Sequence, residues 1–462
     1  MEIAAVKTSK KSVRRKARKM PELRFEDQRL TSFAGLVLFQ ALFSRLQLRE
    51  RLRQCFRHLK LHTIYESAGL MLMLIVHLLL GYRQLRDLRF YEDDPMVQRL
   101  LGLKQLPNVA TLSRWLKKLD AKAISRLCEL MRTLVLQRLA GMQLRRITLD
   151  FDGSTLGTQR KAEGTAIGYN KKKKGQRSYY PLFCTIAQTG QVFDFLHRPG
   201  NVHDSKGARE FILACIEWIR ASLPGVLIEV RMDSAFFSDA IVSLLHEQDV
   251  AFTLSVPFDR FVELKQRVET RSRWEALDAE SHYFEIDWKP KCWSLKFRLL
   301  AIRKKTYERQ RGPLQLDIFV PKQTGYEFKV IVTNKTVKAR HVTAFHNGRG
   351  AQEGVFAELK SEGQMDYIPV RGLHGNKAYM IAAILAHNLN REMQMQTRPK
   401  LRATGPKRPP LWSFERLRTF RRIFLQRAGR LTRPQGQLTL TLSANEAVKE
   451  QILETLHELQ AA

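Results

Sequence analysis

The stretch Thr148-Leu149-Asp150-Phe151-Asp152-Gly153-Ser154-Thr155 places two carboxylates two residues apart on a short apolar run. Side chains alternate along a strand, so Asp150 and Asp152 share a face. Carboxylates drawn into a fold are costly unless a cation neutralises them. A hard divalent ion such as Mg2+ takes carboxylate oxygens and keeps positions for phosphate and water. The other reading is one Asp capping the next turn and one solvated. Two further acids extend the pattern. Asp233 follows the apolar run Val226 to Met232 directly, and Glu353 shares one helix face with Arg349, Ala357 and Lys360. Two neighbouring parallel strands bring Asp152 and Asp233 together, and a helix packed on the sheet adds Glu353. Three carboxylates suffice for two divalent ions, which activate a water or 3′-hydroxyl and stabilise the leaving oxygen of an in-line phosphoryl displacement.

Composition supports a phosphate-bearing partner. The 462 residues contain 79 Lys and Arg against 45 Asp and Glu, a formal charge of +34. The basic residues run along the whole chain, which favours nucleic acid over an anionic membrane or a ribosomal particle. The longest apolar run, Ala68 to Leu80, contains His77 and falls short of the roughly 20 residues a bilayer takes. The basic start, Lys7 to Lys19, lacks the apolar centre of a signal peptide. Five scattered cysteines, Cys55, Cys128, Cys184, Cys215 and Cys292, have no metal or disulfide spacing and indicate reduced thiols in a cytoplasmic protein.

The elements that must position these acids follow in order. Residues 1–25 read as a basic mobile arm that touches phosphate or solvent. Residues 26–140 are helical by spacing, as in Phe33, Leu36, Phe39, Leu42 and Phe43, and His77 in the row Leu70, Leu74, Leu78 reads as a core histidine. The segment Leu106 to Leu116 has the form of a helix-turn-helix ending, with Thr111, Ser113 and Arg114 toward a DNA groove, or of an ordinary capped helix with Trp115 in the core. Residues 141–256 read as strand, hairpin, helix, strand, helix, strand, a mixed α/β sheet with packed helices. Their hairpin runs Tyr180 to Ala187 and Val192 to Leu196, and the helix Ala208 to Ser222 faces inward with Phe211, Cys215, Trp218 and Ile219. The loop carrying Lys171, Lys172, Lys173, Lys174 and Arg177 is a phosphate clamp or a solvated turn.

Residues 257–334 read as a β-rich insertion forming a separate sheet, with strands near Tyr283 to Trp288, Trp293 to Ile302, Leu316 to Val320 and Phe328 to Val332. Its Trp274, Trp288 and Trp293 are core residues or platforms for an unpaired base. Helix returns over 335–397, where Glu358 and Glu362 fall off the Glu353 face and are expected in solvent. A basic region, 398–462, closes the chain.

These motifs together resemble the DDE transposases of bacterial insertion sequences, in the branch with a Tyr-Arg-Glu-Lys signature, and within it the insertion-sequence family numbered 1380. His346, Arg349, Glu353 and Lys360 stand at the signature spacing, with His in place of Tyr. Asp150-Phe-Asp152-Gly-Ser-Thr155 and Arg231-Met-Asp233-Ser-Ala-Phe match the two aspartate motifs, and Gly168-Tyr169-Asn170 and Arg198-Pro199-Gly200-Asn201 are also family-like. The resemblance covers residues 140 to 390. It implies a ribonuclease H-like (retroviral integrase-like) core, with Asp152, Asp233 and Glu353 as the catalytic, metal-binding triad and Asp150 as the alternative first ligand. It also implies two Mg2+ ions, with Mn2+ able to substitute. Arg349, Lys360 and His346 would contact DNA near the scissile phosphate, histidine still offering a hydrogen bond where the family has tyrosine. The implied partners are double-stranded DNA, both element ends and target, bound by a homodimer in the nucleoid, with no membrane role.

Overall fold

The computed structural model describes residues 20, 22–26, 28–59, 64–168, 170, 173–203, 205–305, 325–403 and 405–461. The first 19 residues of the basic arm, Lys171 and Lys172, and the strand expected at Leu316 to Val320 lie outside the described residues.

Among the described residues, six α-helices precede the main sheet: Leu36–Arg45 (α1), Leu48–Phe56 (α2), Ser67–Leu79 (α3), Pro95–Leu101 (α4), Val109–Lys118 (α5) and Ala121–Met142 (α6). All of α3 after Ser67 is buried, as an all-round apolar helix must be. Among the described residues no helix is long and apolar enough to cross a membrane. His77 on α3 is a core histidine: its Nδ1 lies 2.6 Å from the Tyr91 hydroxyl, and burial pushes its pKa down to about 4. In α5 the Asn108 side chain accepts the Thr111 N–H at 2.8 Å, capping the helix. Trp115 is buried against the Phe56 ring, 5.9 Å between centroids, while Arg114, Lys117 and Lys118 are exposed.

The main sheet comprises Arg146–Gly153 (β1), Leu182–Ile186 (β2), Val192–Leu196 (β3), Leu227–Met232 (β4), Ala251–Val256 (β5), Glu275–Ala276 (β6), Ser281–Ile286 (β7), Arg298–Lys305 (β8) and Tyr326–Thr333 (β9). Its order is β6-β7-β8-β9-β5-β4-β1-β2-β3. Strands β1, β4 and β5 run parallel; the hairpin β2–β3 and the strand β9 join antiparallel on either side. Parallel neighbours need crossovers, supplied by Ala208–Ser222 (α7) between β3 and β4 and Asp239–Glu247 (α8) between β4 and β5. A short helix, Val262–Glu269 (α9), leads into the later strands.

Two expectations are corrected here. The strands of 257–334 form no separate sheet among the described residues, because β9 pairs with β5 from Val330↔Val256 to Thr333↔Thr253 and continues the main sheet. Trp288 and Trp293 are buried in its apolar core, and half-buried Trp274 holds Arg303 over its ring at 4.7 Å. On α7 the inward stripe is Phe211, Ile212, Cys215, Ile216 and Ile219, while Trp218 lies at its edge, 40% exposed beneath Arg132. A wide indole tolerates that half-wet position because a guanidinium stacks on its face.

After the sheet come Ala339–Asn347 (α10), Gly350–Ser361 (α11) and the long Leu373–Thr397 (α12). Helix α12 is buried along most of its length and shares one apolar core with α1, α3 and the C-terminal residues Phe420, Phe424 and Ile452. The helices at the two ends of the chain therefore enclose one core rather than two.

Candidate active site

Burial along β1 deepens to Asp150 and Phe151 and relaxes at Asp152 and Gly153. Asp150 faces Arg231 on β4 in register. Arg231 Nε meets Asp150 Oδ1 at 2.5 Å and Nη2 meets Oδ2 at 2.7 Å, both side chains shut away from solvent. Burial pushes the Asp150 carboxyl up and the Arg231 guanidinium pulls against it. The remaining Arg231 nitrogen, Nη1, donates to the carbonyls of Phe345 and Lys407. Both oxygens of Asp150 thus accept from Arg231 inside the protein, an arrangement that fixes β1 on β4.

Two residues further along both strands stand Asp152 and Asp233, at the carboxyl ends of adjacent parallel strands. Ligand sites of open α/β sheets form at such ends. Asp152 Oδ1 accepts the Gly153 N–H at 2.7 Å. Asp233 caps the turn Ser234–Phe236, accepting the Ala235 N–H at 3.0 Å. Helix α11 docks over them because Gln352 Nε2 donates to the Asp150 carbonyl at 2.9 Å. That docking brings Arg349 Nη1 to 3.3 Å from Asp152 Oδ2. One turn on, Glu353 lies 3.9 Å from Arg349 Nη2 with its side chain 69% exposed.

Among the described residues no three Asp, Glu, His or Cys side chains converge as a preformed metal cluster. Asp152 and Asp233 stand at the ends of neighbouring parallel strands, whereas Glu353 stands off in solvent. The residues present still fit a divalent ion by chemistry: the donors are all carboxylate oxygens, and the Arg349 guanidinium already lies between two of them.

A cleft of about 1100 Å³ opens beside these acids, lined by Asp233, Lys360, Lys173, Arg160, Arg260 and Tyr180 among others. Lys360 is half-buried there and Lys173 is exposed. Lys174 is exposed as well. Arg177 is drawn inward, its Nε donating to Thr165 Oγ1 at 3.0 Å and Nη2 to the Thr165 carbonyl; it staples the side sheet of Leu156–Thr158, Arg177–Tyr179 and Ala166–Ile167. Arg114 remains on the outer face of α5. The cleft residues Arg160, Arg260 and Tyr180 carried no spacing that singles them out. Arg260 alone had a signal, since it follows the third parallel strand.

His346 departs from its expected DNA contact. It is buried, with Nε2 2.9 Å from Ser255 Oγ and Nδ1 3.1 Å from Thr253 Oγ1. Burial first, then Lys329, Arg349 and Arg231 nearby, hold its pKa well below the ordinary histidine value, so the ring is a neutral packing element between α10 and β5. Glu358 and Glu362 depart likewise, both being buried. Glu358 meets Arg391 Nη2 at 2.6 Å, accepts the Leu417 N–H at 3.1 Å and lies 3.5 Å from His387 Nδ1. Glu362 accepts the Arg418 N–H at 2.8 Å and pairs with Arg416 at 2.6 Å. Their partners come from α12 and from residues beyond 410, which no helical-face argument on α11 anticipates.

A family model described as "Transposase DDE domain group 1" matches residues 13–462. No curated protein matches the chain. Among solved structures, the chain is similar to a piggyBac transposase synaptic complex with hairpin DNA, at 10% identity over 84% of this chain and 79% of that one, TM-score 0.45. A Mos1 transposase paired-end complex with the left transposon end matches at 11% identity over 42% and 60% of the two chains, TM-score 0.18. The Mos1 mariner paired-end complex with Mn matches at 12% over 50% and 78%, TM-score 0.18.

Proposed function

The chain belongs to the transposases of DDE domain group 1, and on that premise we propose that it is a cut-and-paste DNA transposase of an insertion sequence. In this reading it binds the terminal inverted repeats of its element and catalyses metal-dependent strand cleavage and strand transfer. The observation that carries the reading is Asp152 and Asp233 side by side at the carboxyl ends of β1 and β4 with Arg349 held against Asp152. The strand order β3-β2-β1-β4-β5 supports a ribonuclease H-like core, extended at its β5 edge. The Tyr-Arg-Glu-Lys branch and the family numbered 1380 rest on the motif spacing alone.

Asp152, Asp233 and Glu353 would hold the metal, with Glu353 swinging in from solvent. When bound, two Mg2+ ions, or Mn2+ in their place, supply an activated hydroxyl nucleophile and charge stabilisation at the leaving oxygen. The protein's own groups do the rest. Arg349 offers a planar fork to a phosphate once it leaves Asp152, and Lys360 offers a point charge at the cleft. Lys171 to Lys174 and the exposed basic face of α5, Arg114 included, contact the backbone of the DNA. A homodimer across two ends, acting in the cytoplasm on nucleoid DNA, completes the reading.

The exposed position of Glu353 favours one rival, a non-catalytic DNA-binding protein derived from a transposase. One experiment separates them: wild type, Asp152→Asn, Asp233→Asn and Glu353→Gln are each incubated with the element's end DNA and Mg2+ or Mn2+, scoring binding and nicking. The transposase reading requires wild type to nick at the terminus while all three variants bind without cutting. Wild type that binds and never cuts with either ion supports the rival. Binding that changes little between low and physiological salt would count against both, because displaced counterions make phosphate binding steeply salt-dependent.

A further inference from the structure

Three parallel strands end at the cleft, and the third delivers a cation. Asp152 is the penultimate residue of β1 and Asp233 follows β4 directly; β5 ends at Val256, and the turn Phe258–Arg260 that follows puts Arg260 on the wall of the same cleft as Asp233. Buried Phe258 anchors that turn in the apolar core, and the Arg260 N–H donates to the Pro257 carbonyl at 3.0 Å. Its backbone is therefore fixed while its side chain is exposed. Among the described residues the Arg260 side chain has no ion pair, hydrogen bond or ring contact, although Asp259 beside it pairs with Lys265 at 3.9 Å. The side sheet contributes Arg160 and Lys173 to the cleft. Arg160 is only loosely held, Nη1 lying 3.4 Å from the Pro369 carbonyl. Arg83, by contrast, is already neutralised by Asp366 at 2.6 Å.

Guanidinium groups without a carboxylate partner, set on a rigid turn at the rim of a polar cleft, are suited to phosphate oxygens. We propose that Arg260, together with Arg160 and Lys173, forms a further phosphate clamp that grips one DNA strand in the cleft beside the reacting phosphate. The clamp deepens the transposase reading and rests on it for the identity of the strand. A cleft of about 1100 Å³ is on the scale of small-ligand sites, about 300–1,000 Å³, and has room for a few nucleotides of one strand. The bidentate fork makes Arg260→Lys a partial substitute and Arg260→Ala a full loss.

The test uses the full chain, a short fluorescein-labelled single-stranded oligonucleotide and its duplex counterpart, without metal. Affinity is read by anisotropy across a salt series, and thermal melting checks the fold. Arg260→Ala is expected to weaken single-strand binding severalfold at low salt, to lower the magnitude of the log–log salt slope by about 0.7, one phosphate contact, and to melt as wild type does. Arg260→Lys is expected to recover most of the slope and part of the affinity. The duplex is expected to lose less than the single strand. An Arg260→Ala slope and affinity equal to wild type overturns the clamp, whatever the nicking result. If instead wild type never nicks its element's end while the slope falls as stated, the clamp stands and the catalytic reading fails.

Discussion

Asp150 and Arg231 are joined by two hydrogen bonds, 2.5 and 2.7 Å, across paired positions of β1 and β4. This buried ion pair is set directly behind the Asp152–Asp233 edge and fixes the two strands in the register that brings those acids together. An Asp at the first position of the motif is thus engaged in building the sheet, while the Asp two residues later stands at the strand end against Arg349.

That division of labour has a measurable signature. Removing one member of a buried pair leaves an uncompensated charge and costs about 3–5 kcal/mol. Asp150→Asn and Arg231→Leu are each expected to lower the melting temperature markedly, while Asp152→Asn leaves it within a degree or two. Thermal melts of the three variants check this. An Asp150→Asn protein that melts like wild type would refute the structural role of Asp150.

Acid should loosen the contact that holds α11 to the C-terminal segment. At Glu358 burial pushes the pKa up, but His387, Arg391 and the Leu417 N–H outweigh it and bring it to about 2. Glu229, buried among Arg408, Lys335 and Arg146, is likewise held at about 2. A folded pKa below the unfolded value stabilises the fold above roughly pH 4.5, and that stabilisation is lost as pH falls toward 2. Each group contributes about 3 kcal/mol at neutral pH by that linkage. Glu358→Gln should melt well below wild type at pH 7, and the gap should close between pH 4.5 and 2.5. A gap that is constant with pH would show that the charge on Glu358 does not matter.

Much of the parallel sheet was legible because its signals are local. The turn Gln188-Thr189-Gly190-Gln191 set the start of β3 at Val192, and the Pro224-Gly225 stop bounded α7. Apolar runs ending in Asp152 and Asp233 predicted two strand ends side by side, which the parallel pairing of β1 and β4 satisfies. What was illegible depends on contacts distant in the chain. Glu358 looked solvated until Leu417 and Arg391 covered it, and His346 looked like a DNA contact until Thr253 and Ser255 enclosed its ring. The runs near Tyr283, Ile302 and Phe328 read correctly as β-structure, but pairing of β9 with β5 is a tertiary choice that no local pattern encodes.

His346 supplies a separable test of packing against DNA contact. His346→Phe keeps the ring and removes both hydrogen bonds, leaving the Thr253 and Ser255 hydroxyls without the ring nitrogens. Unmade buried hydrogen bonds cost about 1–3 kcal/mol each, so the variant should melt several degrees lower. Its salt slope for DNA binding should equal that of wild type, since the ring carries no charge toward solvent. A slope reduced by about one phosphate contact with unchanged melting would place the ring on DNA instead.

Arg349 faces two demands, a carboxylate partner at Asp152 and, in the proposed reaction, a phosphate. Lysine preserves the charge but not the fork that spans Asp152 and Glu353 at 3.3 and 3.9 Å. Arg349→Lys should therefore bind element ends nearly as well as wild type, yet nick them markedly more slowly, because lysine offers the reacting phosphate a point charge and no planar fork. Arg349→Ala removes the cation from between the two carboxylates, so Mn2+ should bind the DNA-free protein more tightly, as titration calorimetry would register. Weaker Mn2+ binding by Arg349→Ala would mean that the guanidinium organises the acids rather than competing for them, and the interpretation of Arg349 as occupying the cation's place would have to be abandoned.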